Sequence, residues 1–209
     1  MVTITQSTEL GTRYAPAEIA ALAEMAHRHG LRLHVDGARL ANAAAGLQAD
    51  LRAITTDAGV DLVSLGGTKN GMMLGEAVVL LDPTLAQGAS YLRKQSLQLA
   101  SKGRFLAAQF VAMFEGDLWR RNAAHANAMA FRLAGRLREV PAVKITQPVQ
   151  ANGVFAILPR AAADTVRPAF PFYTWDEATG EVRLMCSWDT TAQEVEAVAD
   201  ALTQACRDE

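Results

Sequence analysis

Apolar and polar positions alternate along Val2 to Gln6 with β-branched residues among them, which predicts a short strand. Ala15-Pro16-Ala17-Glu18 then opens a helix, with Pro16 near the first turn, and the helix runs to about His29 before Gly30 stops it. Leu31 to Val35 is an apolar strand ending at Asp36. Ala38 to Gly46 is an alanine-rich helix, Leu51 to Ala58 a second helical piece, and Val60 to Leu65 the next buried strand. A GGTKNG turn follows, and then a strand over Ala77 to Leu81. Strands alternating with helices at this spacing imply crossover connections and a largely parallel sheet.

From Pro83 to Glu139 the apolar positions change to three- and four-residue spacing (Phe105, Ala108, Phe110, Val111, Phe114, Leu118). Gly88, Gly103 and Gly116 break this stretch into several helices. After Pro141 come strand-like VKIT (143–146), GVFAILP (153–159), a helix from about Ala161, and the strand VRLMCSW (182–188). TTAQEVEAVADALTQACRDE begins with a threonine cap and continues to residue 209 as an amphipathic helix. Strand, strand, helix, strand, helix is the pattern of a small α+β domain. The chain begins directly on a strand of the first sheet, which leaves one edge poorly covered. Such a chain is expected either to borrow partners or to be the rear part of a larger unit.

Composition narrows the class. The chain has 209 residues, half of them apolar and a fifth charged, with a net charge of −2 and no basic run. A nucleic-acid or anionic-membrane protein is therefore not expected. Cys186 and Cys206 lie far apart in no metal-like spacing, as reduced thiols of a cytoplasmic protein would. MVTITQSTEL has no basic n-region or apolar core, and no apolar run is long enough to span a membrane.

In an open parallel sheet, ligands bind beyond the carboxyl ends of the strands. Two chemistry-bearing residues fall there: Asp36, after one buried strand, and Lys69, in the turn after the next. Arg39, one turn along from Asp36, reaches the same space. A lysine amine, a carboxylate and a nearby arginine suit pyridoxal phosphate. The amine takes the aldehyde, the carboxylate keeps the pyridine nitrogen protonated, and the glycines around Lys69 allow close backbone approach. Spacing alone favours a blander account, with Lys69 a solvated turn lysine and Asp36 a helix-capping carboxylate. His27, His29, His34 and Asp36 suggest a metal only superficially, since no second cluster closes a coordination sphere, and none is expected. GGTKNG lacks the order and spacer of a phosphate loop, and no G-x-G-x-x-G is present. Met72 and Met73 read as gap-filling core.

TELGTRYAPAEI, LHVDGARLANA, SLGGTKNGMMLGEAVVLL, RKQSLQLASKGRFLAAQ and VRLMCSWDTT resemble, in order and spacing, the second part of the low-specificity L-threonine aldolases. These are pyridoxal-phosphate enzymes of the aspartate-aminotransferase fold type, in the β-eliminating lyase superfamily. HVDGAR followed by TKNG is the more specific pair, and the resemblance extends over nearly the whole chain. It implies that Lys69 is the Schiff-base lysine, that Asp36 pairs with the pyridine nitrogen, and that Arg39 lies by the ring hydroxyl and substrate carboxylate. It also implies that Arg183 binds the amino acid's carboxylate, where a bidentate guanidinium pair is wanted. Without the resemblance Arg183 would read as an exposed strand arginine. Lys102 and Arg104 would be phosphate or neighbouring-subunit contacts. Leu97 stands where such enzymes commonly carry glycine.

The implied fold class is α/β. The rear part of a cofactor-binding large domain, mostly parallel sheet, would occupy residues 1–116, and a small α+β domain residues 117–209. The implied cofactor is pyridoxal 5'-phosphate, and the implied reaction is retro-aldol cleavage of L-threonine or L-allo-threonine to glycine and acetaldehyde. A homo-oligomer, a dimer of dimers with shared active sites, is implied as well. A Gly-rich phosphate loop has no counterpart in this sequence, so the chain is expected to be an N-terminally truncated form. A non-catalytic remnant or subunit fragment, or another β-eliminating lyase specificity, is the alternative.

Overall fold

A computed structural model of the chain describes residues 1–207. Two units follow from its contacts: Met1–Ser7 with Tyr14–Arg121, and Thr8–Arg13 with the chain from Asn122 onward.

In the first unit the alternating segments become β1 (Val2–Thr5), β2 (Leu33–Gly37), β3 (Leu62–Gly66) and β4 (Glu76–Leu80), ordered β1-β2-β3-β4 in one sheet. β1 pairs β2 and β2 pairs β3 in parallel, each across a helical connection. β4 runs antiparallel to β3 and so departs from the expected parallel pattern. The cause is chain length: only residues 67–75 join the two strands, too few for a crossover. Register sets the faces. Ile4, Val35 and Val63 align across the sheet and are buried, whereas Thr5, Asp36, Ser64 and Val78 align on the opposite face and are more open.

Between the strands lie α1 (Pro16–Arg28) and α2 (Leu40–Leu47). α1 buries Ile19, Ala23 and Ala26, three positions on one helical stripe. It starts where the Ala15 N–H donates to Glu18 Oε2 at 2.6 Å and ends before Gly30, whose φ of +66° is the left-handed geometry expected there. The expected helical piece over Leu51 to Ala58 is made of two short 3-10 turns, Leu51–Ile54 and Thr56–Ala58. The helical stretch after β4 resolves into α3 (Ala89–Gln95), α4 (Gly103–Phe114) and α5 (Leu118–Arg138), broken at or beside the anticipated glycines.

The second unit holds β5 (Lys144–Ile145), β6 (Gly153–Ile157), β7 (Tyr173–Asp176) and β8 (Glu181–Met185), ordered β5-β6-β8-β7 and antiparallel throughout. β7 is the element the sequence pattern missed. Val154 and Ala156 of β6 pair with Leu184 and Val182 of β8, and this face joins one core with Leu133 and Leu137 of α5. α6 (Arg160–Val166) and α7 (Ala192–Arg207) complete that core through Ala163, Val166, Val195, Ala199 and Leu202. The expected threonine cap is present. The Thr191 N–H donates to Glu194 Oε2 at 2.7 Å, and the Glu194 N–H donates back to Thr191 Oγ1 at 3.2 Å. The last two residues of the expected helix, 208–209, lie outside the described residues.

Candidate active site

Asp36 lies within β2, paired in register with Ser64 of β3. One carboxylate oxygen accepts the Ala38 N–H at 3.1 Å, which turns the chain out of the strand toward α2. Arg39 is the residue that caps α2 and is half-buried. On the same sheet face His34 Nε2 lies 2.9 Å from Ser64 Oγ. The sheet ends approach closely at two glycine-bearing points. A Cβ on Gly66 would lie 2.8 Å from Ala38 Cα, and one on Gly37 would lie 2.9 Å from the Ser64 carbonyl oxygen. Only glycine permits that proximity of β2 and β3 beside Asp36.

Lys69 occupies a short 3-10 turn, Thr68–Asn70, directly after β3. Its side chain is exposed, while the turn beneath it is fastened on several sides. Asn70 is buried and donates from Nδ2 to the Trp119 carbonyl at 2.9 Å. Gln109 of α4 accepts the Met73 and Leu74 N–H groups at 2.9 and 3.2 Å through its Oε1. A Cβ on Gly67 would lie 2.1 Å from Met72 Sδ, so the buried thioether fills the space that a side chain would need. Met72 is therefore core, as expected, but Met73 is 90% exposed. An exposed amine on a rigid base, beside a neighbouring parallel strand that carries a carboxylate, is a set of groups suited to capturing an aldehyde and an adjacent ring N–H. Asn70 and Gln109 were not singled out in the sequence, because polar anchors of a turn carry no spacing signature.

Lys102 caps α4 and Arg104 lies in its first turn, both exposed, with the Arg104 guanidinium 5.1 Å from the Phe105 ring centre. Arg183 belongs to the second unit and sits mid-strand in β8, on the face opposite the core. Its Nε is buried without a hydrogen-bond partner, and its guanidinium lies 4.9 Å from the Trp175 ring centre and 5.8 Å from that of Tyr173. It borders a cavity of about 410 Å³ together with Phe172, Tyr173, Met185 and Asp189. Among the described residues, no group of three or more His, Cys, Asp or Glu is disposed to hold a metal ion, and no helix is long and apolar enough to cross a membrane. His27 instead pairs with Asp61 at 2.8 Å.

The model of the beta-eliminating lyase family matches residues 1–160. The chain belongs to that family. It is 45% identical over 200 residues to the low specificity L-threonine aldolase of Pseudomonas aeruginosa and 44% identical to that of Pseudomonas sp. strain NCIMB 10558. Both alignments take in 95% of this chain, which spans only 58% of the length of these curated relatives. The solved threonine aldolase of Leishmania major superposes with a TM-score of 0.90 at 32% identity, over 98% of this chain and 60% of that one. The α/β fold with a parallel-dominated sheet is thus shared with this solved threonine aldolase.

Proposed function

We propose that this chain carries the lysine-bearing part of a pyridoxal-phosphate-dependent carbon–carbon lyase, which cleaves L-threonine or L-allo-threonine to glycine and acetaldehyde. The observation that carries the reading is the pairing of an exposed Lys69, on a turn fastened from beneath, with Asp36 on the next parallel strand. Aldolase naming of the relatives at 45% and 44% identity supports the substrate class.

The residues present fit the cofactor. Gly37 and Gly66, where a Cβ would meet backbone at 2.9 and 2.8 Å, let the ends of β2 and β3 pack together beside Asp36, and the amine, carboxylate and guanidinium of Lys69, Asp36 and Arg39 are the donor set the group calls for. When bound, pyridoxal phosphate supplies an electron sink for the pair released when the Cα–Cβ bond breaks. Lys69 would offer the amine that anchors the cofactor's aldehyde, and Asp36 would accept a hydrogen bond from the protonated ring nitrogen and hold that proton there. Its other role, accepting the Ala38 N–H, fixes the carboxylate's direction before any ligand arrives. By the resemblance, Arg39 would serve the ring hydroxyl and substrate carboxylate, and Arg183 would offer paired N–H donors to a substrate carboxylate. Lys102 and Arg104 bind phosphate or a neighbouring subunit, and the working protein is a cytoplasmic homo-oligomer.

The test is to add pyridoxal phosphate to the purified chain and record the visible imine band. The band is expected in the wild type and absent in Lys69→Ala. A band unchanged in Lys69→Ala would remove Lys69 from the assignment, and no band in the wild type would remove cofactor binding from this chain.

A further inference from the structure

We propose that Trp175 and Tyr173 are positioning residues for Arg183, holding its guanidinium by ring contact so that its N–H donors stay open to a substrate carboxylate. The proposal rests on the reading of Arg183 given above and extends it to the residues that keep this arginine ready.

The two neighbouring strands put aromatic side chains around Arg183. Phe155 of β6 and Tyr173 of β7 are its register partners on either side, so all three share the sheet face opposite the core. A register shift between Thr174 and Asp176 leaves Trp175 as the extra residue of a bulge. Bulges re-aim side chains, and here the ring stands 4.9 Å from the guanidinium carbon, closer than Tyr173 at 5.8 Å. Trp175 is fixed in turn. Phe155, almost wholly buried, meets it edge-on with ring centres 5.4 Å apart and planes at 84°. Behind Phe155 lies Gly11, at φ +74°, where a Cβ would come within 3.3 Å of Phe155 Cε2. The segment Thr8–Arg13 is held over this face as the Arg13 N–H donates to Gln150 Oε1 at 3.1 Å and Arg13 Nη1 donates to the Gln150 carbonyl at 2.7 Å. TELGTR thus acquires a function: it backs the aromatic row.

An arginine on an open sheet face has many rotamers, and something must select one. A carboxylate partner would do so, but it would occupy the same N–H donors that a substrate carboxylate needs. A ring face attracts the cation through its quadrupole and leaves the in-plane donors untouched. The two carboxylates on the adjoining strand ends are engaged elsewhere, and Asp189, which lines the same cavity, forms no ion pair with Arg183 among the described residues. Asp176 accepts the Ala178 N–H and the Thr179 hydroxyl, both at 2.9 Å, and Glu181 accepts the Thr146 hydroxyl. Arg183 forms no ion pair among the described residues, and its Nε has no hydrogen-bond partner. The arrangement keeps the charge in place and uncommitted.

The experiment is a titration of the uniformly nitrogen-15-labelled chain with acetate, followed at the Arg183 Nε–H resonance and assigned by its loss in Arg183→Lys. In the wild type the resonance is expected to lie upfield, over the Trp175 ring, and to move saturably with acetate. Trp175→Leu should return it toward the ordinary arginine position and raise the acetate needed for half-saturation roughly tenfold, while Trp175→Phe restores most of the affinity. Tyr173→Leu, which removes an exposed and more distant ring, should raise it about threefold, and it carries the test if Trp175→Leu does not fold. Half-saturation unchanged in Trp175→Leu or, in its place, Tyr173→Leu would overturn the positioning role and leave the Arg183 reading standing. A wild-type resonance that ignores acetate would overturn the Arg183 reading and the proposal with it.

Discussion

The two sheets of this chain are built on one plan and finished differently. In the second unit, Val154, Ala156, Val182 and Leu184 face a closed core of helices, and the opposite face presents Arg183 among aromatic rings. In the first unit, Ile4, Val35 and Val63 are buried in the same way, but the opposite face is a row of Thr5, Asp36, Ser64 and Val78, the last 68% exposed. Beyond that sheet, α3 has no buried residue, and Tyr91, Leu92, Leu97, Leu99, Phe105 and Val111 are all exposed. In both units stability lives on one sheet face and candidate chemistry on the other. The first unit leaves these six apolar side chains of α3, α4 and the link between them exposed as well. A surface of that extent marks a contact site more often than accident.

The contrast makes a sharp prediction about where side chains matter. Leu137 is fully buried in the second core, so Leu137→Ala should cost about 3 kcal/mol through lost burial and the cavity left behind. Leu92 is 62% exposed, and Leu92→Ala should change stability by no more than about 0.5 kcal/mol. Urea unfolding of both variants checks the pair. A cost for Leu92→Ala approaching that of Leu137→Ala would mean that the α3 surface is covered in solution, and the contrast between the units would fail.

Much of this was legible in the sequence, and for identifiable reasons. Period-two alternation marked β1, short apolar runs marked β2 and β3, and Pro16 with Gly30 bounded α1. HVDGAR and TKNG put Asp36 and Lys69 near the ends of adjacent strands, but spacing alone favoured a capping carboxylate and a solvated turn lysine, and the cofactor roles came from the family resemblance. The direction of β4 was misread because strand propensity carries no sign, and only the short link from Gly67 to Gly75 decides it. β7 was overlooked although Tyr-Thr-Trp, with its turn at Asp176 and at Gly180 of φ +73°, is an aromatic hairpin signal. The setting of Arg183 was out of reach, since it depends on register between three strands and on a bulge.

A smaller effect separates the two units by their helix ends. The Thr191–Glu194 box caps the start of α7, and Thr191→Ala should destabilise the chain by about 1 kcal/mol at neutral pH. The Thr191 N–H and then its hydroxyl hold the Glu194 carboxyl below the usual range, against slight desolvation and the nearby Asp189. A carboxyl lowered in the folded state stabilises it above the unfolded value, and that contribution disappears as pH falls through the lowered folded value. The cost of Thr191→Ala should therefore shrink as the solution is acidified through the carboxylate range. Thermal midpoints of both proteins along a pH series check this. A cost that grew on acidification would show that Glu194 is not the partner.

At the end of α3 the first unit offers the opposite case, a helix end that disagrees with its residue. Ser96 closes α3, the Leu97 N–H donates to the Lys94 carbonyl at 3.1 Å, and the Gln98 N–H donates to that of Arg93 at 3.0 Å. That double bond pattern requires a left-handed residue after the cap, a place where glycine is strongly preferred. Leu97 occupies it at φ +58° with its side chain 90% exposed. The left-handed geometry crowds Cβ against the next carbonyl, whereas glycine avoids that strain at the expense of a more flexible unfolded chain. The balance predicts that Leu97→Gly stabilises the chain by roughly 0.5–1 kcal/mol, read as a higher urea midpoint at unchanged slope. The substitution also removes one of the most exposed apolar side chains on the open surface. If Leu97→Gly instead lowered the midpoint, the leucine would be gaining more from contact than it loses to strain. That gain needs a neighbour, so the α3–α4 surface would have to be covered in solution, and the difference between the two units would lie in what binds the first one rather than in how it folds.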